Sequence, residues 1–142
     1  MHLGQTIPAM PVKDIGAAVA CYRDQFRFTV VHEDDGFAVL VRDDAEVHLW
    51  LAADVSWRQR TGGESPVCSG AESFIAGTAS FRIAVDDVDV LFAELAPNGV
   101  LHSVSSRVED TDYGTREFAT VDIDGNLIVF FRRDVPRPPD RA

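Results

Sequence analysis

Glu46, His48 and Trp50 alternate along an extended run, Glu46 to Leu51. They share one face of it, and Val47, Leu49 and Leu51 share the other. A carboxylate, an imidazole and an indole side by side suit two kinds of chemistry. They can hold a metal ion if further ligands join them, or they can line a pocket where a flat ligand stacks and hydrogen-bonds. A second constellation is the turn Glu33-Asp34-Asp35-Gly36, followed at once by Phe37. Asp34 and Asp35 beside an aromatic ring suit a flat cation, through ion pairing and cation–π contact; a solvated hairpin turn has the same composition. Trp57 sits in a stretch that core packing explains poorly, and Tyr113-Gly114 lies in a polar loop able to close a cleft. Arg82 alternates with Phe81 and Ile83, so it faces away from the apolar side of its strand.

Other chemistries lack their signatures. Gly62-Gly63 and Gly70 do not open a helix after a strand, so no phosphate loop is indicated, and Gly-x-Ser-x-Gly does not occur. The chain carries 13 basic and 23 acidic residues, a net charge of −10, which disfavours nucleic-acid backbone binding and is compatible with steering cationic small molecules. There is no apolar run of about eighteen residues to cross a membrane. The start, Met1-His2-Leu3-Gly4-Gln5, has no secretory pattern, so a cytoplasmic location is expected, with Cys21 and Cys68 as free thiols.

The elements that position these residues come in two matching sets. Val12-Lys13-Asp14-Ile15 leads from an extended run into a helical pattern, and Val85-Asp86-Asp87-Val88 does the same again. The first extended run, residues 5–12, holds Pro8 and Pro11 and is expected at a sheet edge or as an arm pairing with another subunit. Asp14 is a plausible helix N-cap, and Ile15, Ala18, Val19, Tyr22 and Phe26 form one apolar helix face. Strands are expected over Phe28–His32, Phe37–Val41 and Glu46–Leu51, with turns at 33–36 and 43–44. The second helix is read from Val88, Leu91, Phe92 and Leu95, ending near Pro97-Asn98-Gly99. Val100–Val104, Glu117–Val121 and Leu127–Phe131 read as strands, with a polar loop over 105–114 and a tight turn at Asp122–Asn126. Arg116-Glu117 reads as a structural ion pair.

The fold class expected is α+β: two βαββ modules forming a cupped mixed β-sheet. The organisation is one domain, 1–131, made of a first module (5–52), a connection (53–79) and a second module (80–131), followed by a mobile tail (132–142). The duplication tests metal chemistry. The places corresponding to His48 are Ile7, Ser80 and Val129, so one of four holds a good ligand, and neither a metal nor another cofactor is expected.

Ile7-Pro8 through Val12-Lys13-Asp14-Ile15, Gly36-Phe37, Val41-Arg42-Asp43-Asp44, Tyr113-Gly114-Thr115-Arg116-Glu117-Phe118-Ala119 and Asp122-Ile123-Asp124-Gly125-Asn126 together resemble the glyoxalase / bleomycin-resistance / extradiol-dioxygenase superfamily. The resemblance spans roughly residues 5–131. It implies a cupped sheet and a homodimer, with His or Glu metal ligands in the enzymes at the four places, of which only His48 matches. Within the superfamily the chain is most similar to the bleomycin-binding resistance proteins, dimers that sequester a basic glycopeptide in interface grooves without chemistry. Pro8 matches the proline where their N-terminal strand crosses to the partner. Asp34, Asp35 and Phe37 match their acidic, aromatic turn, and Tyr113-Gly114 an aromatic-Gly pair lining the groove. Thr115 and the long 54–78 connection depart from their pattern. The function expected is therefore non-enzymatic small-molecule binding, an antibiotic sequestration of the bleomycin-resistance type, with a cationic or aromatic ligand in a cleft at the dimer interface that His48, Trp50, Trp57 and Arg82 also line. The alternative is a lyase, isomerase or dioxygenase of the same superfamily.

Overall fold

The computed structural model of the protein describes residues 1–52 and 76–134. The first module contains β1 (Ala9–Val12), α1 (Ile15–Ala20) running into a π-helical turn over Cys21–Gln25, then β2 (Thr29–Glu33), β3 (Phe37–Arg42) and β4 (Ala45–Leu51). The second contains β5 (Ser80–Ala84), α2 (Val88–Leu95) closing in a 3-10 turn over Ala96–Asn98, then β6 (Glu109–Asp110), β7 (Thr115–Val121) and β8 (Leu127–Arg133). Each helix begins on the repeated aspartate. The Asp14 carboxylate accepts from the Ala17 backbone N–H at 2.8 Å and Asp87 from Val90 at 3.1 Å, both from extended backbone. Such a cap satisfies a helix-end donor and is worth about 1 kcal/mol.

The α+β reading holds, and the cup is divided between two four-stranded mixed sheets, ordered β1-β4-β3-β2 and β5-β8-β7-β6. In each, the first strand lies parallel to the last and the other pairs are antiparallel. β1 is an edge strand, as Pro11 within it and Pro8 just before it lead one to expect. The Pro8 carbonyl accepts from His48 N–H, and the Pro11 carbonyl points to Asn126 instead of β4. The missing N–H of Pro11 therefore costs no ladder bond.

One core serves both modules. Ile15, Ala18, Val19, Tyr22 and Phe26 are buried against Leu40, Val47 and Leu49 from the first sheet and Phe118, Ile128 and Phe130 from the second. The Phe26 and Phe130 rings meet across the modules at 6.3 Å, and Phe118 stacks on Phe130 at 5.3 Å. A buried polar latch adds direction. Tyr22 donates its hydroxyl to Asp122, and Asn126 donates to both Asp122 and the Pro11 carbonyl. The Asn126 side-chain oxygen accepts from the Gly77 and Ala79 backbone N–H groups at 3.1 and 3.2 Å. Gly77 lies at φ +85°, and a Cβ there would fall 2.3 Å from the Asp124 carbonyl oxygen, so only glycine fits.

Two extended runs differ from expectation. Val100–Val104 is not a strand; only Leu101 bridges to Thr120, and β6 is the short Glu109–Asp110. His102 Nδ1 accepts from the Val104 and Ser105 backbone N–H groups and turns the chain away, leaving Val104 exposed. β8 continues through Arg132 and Arg133, two residues past the expected end, because both pair with β7. Trp57 and Cys68 lie outside the described residues, as do 135–142 of the expected tail.

Candidate functional site

Alternation gives each sheet a buried face and an open one. In the first sheet, Ala38, Leu40, Val47 and Leu49 are buried toward the helices, while Phe37, Val39, Glu46, His48 and Trp50 are half-buried on the opposite face. Strand register brings the open-face residues together. Phe37 lies opposite Trp50, and Val39 lies between His48 on one side and His32 on the other. The Phe37 and Trp50 rings are 4.2 Å apart, and both imidazoles lean on Phe37: His48 edge-on at 5.2 Å and His32 tilted at 5.7 Å. Each imidazole is held by a carboxylate. His48 Nε2 is 2.7 Å from Glu46 Oε2, and His32 Nε2 is 2.8 Å from Asp34 Oδ2. The result is an aromatic floor with an acid at either end, suited to a flat cation or an aromatic group.

Asp34 also accepts from the Gly36 backbone N–H, and its bonds to His32 and Gly36 hold its pKa below the usual carboxylate value. Asp34 and Asp35 together border a cleft of about 450 Å³ with Lys13, Asp14 and Gly16. Of the two aspartates, Asp34 is the one that bonds to an imidazole of the floor.

The open face of the second sheet centres on Glu117. Tyr113 donates its hydroxyl to Glu117 Oε1 at 2.7 Å, Thr115 donates to Oε2 at 2.9 Å, and Arg82 pairs with the same Oε2. Burial pushes the Glu117 pKa up, but the Tyr113, Arg82 and Thr115 hydrogen bonds outweigh it and leave it below the usual value. The Arg82 guanidinium lies 4.8 Å over the Phe131 ring, with Arg133 at 5.4 Å from it. Gly114 holds the Tyr113 loop in position at φ +83°, and its carbonyl accepts from Asp134 N–H. The expected Arg116–Glu117 pair is absent because neighbours on a strand point oppositely. Arg116 instead ties α2 to β6 through Asp89 and Asp110.

Expected site residues His48, Trp50, Phe37 and Asp34 therefore form one cluster, and Arg82 and Tyr113 meet in a second. Sequence reasoning missed His32, Glu117 and Phe131. Strand alternation could have placed Glu117 with Tyr113-Gly114 and Phe131 with Arg82, but His32 needs the irregularity in register between Val30 and His32, which no residue type announces.

The residues present do not suit the metal of the superfamily's enzymes. Among the described residues no three His, Cys, Asp or Glu side chains converge. Ile7 precedes β1, and Val129 is apolar and pairs with Arg82. No step through a metal follows. No described helix is long and apolar enough to cross a membrane.

The family model described as "Glyoxalase/Bleomycin resistance protein/Dioxygenase superfamily" matches residues 2–130. Curated bleomycin resistance proteins of Geobacillus stearothermophilus and Staphylococcus aureus are 50% identical over 129 residues, covering 91% of this chain and 96% of theirs. Among solved structures, the bleomycin-binding protein of bleomycin-producing Streptomyces verticillus, complexed with copper(II)-bleomycin, superposes with a TM-score of 0.69 at 23% identity, covering 92% of this chain and 96% of that one. Lactoylglutathione lyase from Agrobacterium tumefaciens superposes at 0.66 and 17% identity, covering 91% and 92%. At those identities the two structures share the fold.

Proposed function

The chain belongs to the glyoxalase/bleomycin resistance protein/dioxygenase superfamily, and from that premise we propose that it sequesters bleomycin, a basic glycopeptide, without chemical change. The observation that carries the reading is the 50% identity, over nearly the whole chain, to bleomycin resistance proteins. The geometry supports it: a Phe37–Trp50 floor flanked by Glu46 and Asp34 offers area and negative charge to a cationic, aromatic ligand.

The binding unit is a homodimer. Two copies related by a twofold axis lay the half-buried open face of one sheet against the open face of the other sheet of the partner, twice over. A ligand cleft forms at each junction, with Asp34, Phe37, His48 and Trp50 from one copy and Arg82, Tyr113 and Gly114 from the other. Asp35 and Trp57 are further residues expected to contribute to ligand binding. The protein works in the cytoplasm, intercepting the drug before its target.

Isothermal titration of bleomycin, with Trp fluorescence in parallel, tests the binding. Saturation at about one ligand per subunit is expected. Absence of binding by either method refutes the reading, and a product peak on chromatography of the recovered drug refutes the non-enzymatic part. Light scattering checks the dimer.

A further inference from the structure

Arg82 is paired with Glu117, and it also borders, together with Glu46, a cavity of about 360 Å³ beside Pro8. The Glu117 side chain is the more enclosed of the pair, 16% exposed against 43% for Arg82. Two of the three groups bonded to Glu117, the Tyr113 and Thr115 hydroxyls, are neutral. They would keep the carboxylate in place if Arg82 left, and it would then face solvent as a fixed anion with its charge unmatched. Phe131 beneath Arg82 presents a ring suited to any flat cation. Arg82 also sits on the edge strand β5, so its side chain can swing toward Glu46 without disturbing a central strand.

We propose that Arg82 is a stand-in cation: it fills the Glu117–Phe131 position in the free protein and gives that position up to the cationic group of the ligand, turning toward Glu46. Glu117 is then a specificity-determining residue, and Arg82 sets the threshold a cation must pass to displace it. This rests on the reading that the open faces hold a cationic ligand. A weakly held neutral aromatic gains nothing by displacing Arg82, so the arrangement selects cations over neutral molecules of the same shape.

The test uses two probes, bleomycin and benzamidine, titrated separately into wild type, Arg82→Met and Glu117→Gln, with circular dichroism reporting folding. Arg82→Met is expected to bind both probes roughly three- to tenfold more tightly, and Glu117→Gln about tenfold more weakly. The Arg82 Nε–Hε NMR signal is expected to move as benzamidine is added. Weaker binding by Arg82→Met, or unchanged affinity, overturns the proposal, because a ligand contact or a scaffold residue would behave that way. If Arg82→Met does not fold, Arg82→Lys takes its place; tightening, with a smaller amplitude, supports the proposal and weakening overturns it. If wild type ignores bleomycin but the benzamidine series keeps its order, the drug assignment fails and the stand-in role stands. If bleomycin binds and the variants leave its affinity unchanged, the reverse holds.

Discussion

Asn126→Ala is expected to cost about 3–5 kcal/mol of folding stability, a large share of the roughly 5–15 kcal/mol a domain possesses. The side chain of Asn126 is buried and makes four hydrogen bonds: it donates to Pro11 and Asp122 and accepts from Gly77 and Ala79. Truncation leaves the Pro11 carbonyl and the two N–H groups without partners. An unpaired buried polar group costs about 1–3 kcal/mol, and water entering the vacated space recovers part of that. Asn126→Asp keeps the two acceptor contacts but loses both donors and brings a second carboxylate to Asp122, so it is expected to be at least as harmful. Urea unfolding followed by fluorescence measures both variants. A fall in midpoint at constant slope is the expected signature, since the change is in stability and not in the surface exposed. A loss below about 1 kcal/mol at unchanged slope would falsify the idea that this one amide ties β1, β5 and the 122–126 turn together.

Phe37→Ala removes the ring that touches Trp50, His48 and His32, and bleomycin affinity is expected to fall at least about tenfold, or ~1.4 kcal/mol; calorimetry giving less than a threefold change counts against the aromatic floor. Glu117 has a folded pKa below its ordinary 4.5, so its contribution to stability is present above that pH and is lost as pH falls through the lower, folded value. Stability measured from pH 5 downward is therefore expected to fall less steeply in Glu117→Gln than in wild type, and parallel curves would contradict this. Burial pushes the Cys21 thiol up to about 11; in a Cys68→Ser background a thiol reagent at neutral pH is expected to react only after denaturant is added, and prompt labelling of the native protein would refute the burial argument.

What was legible in the sequence was mostly local or periodic. The aspartate before each helix, the alternation of Glu46, His48 and Trp50, and the edge character of a strand with two prolines each follow from neighbouring residues. The less legible features depend on residues far apart in sequence. Glu117 faces Arg82 because β8 lies between β5 and β7, a topological fact outside either segment. Val100–Val104 has strand composition, yet one imidazole nitrogen accepting two backbone N–H groups ends the extension at His102. Asp34 and Asp35 are alike as letters and both border the cleft beside α1, but it is Asp34 that bonds to an imidazole on the aromatic floor.

The grip on Gly77 and Ala79 has a consequence for how such a chain can diversify. β5 starts from a point pinned to the Asn126 amide and fitted against Asp124, so its register with β8 is set by its own residues and that anchor. Residues placed ahead of Gly77 can lengthen, shorten or change composition without shifting Arg82 along the sheet. The fold thereby separates what must stay constant from what may be rewritten: the placement of β5, and of the open face it carries, is fixed from Gly77 onward.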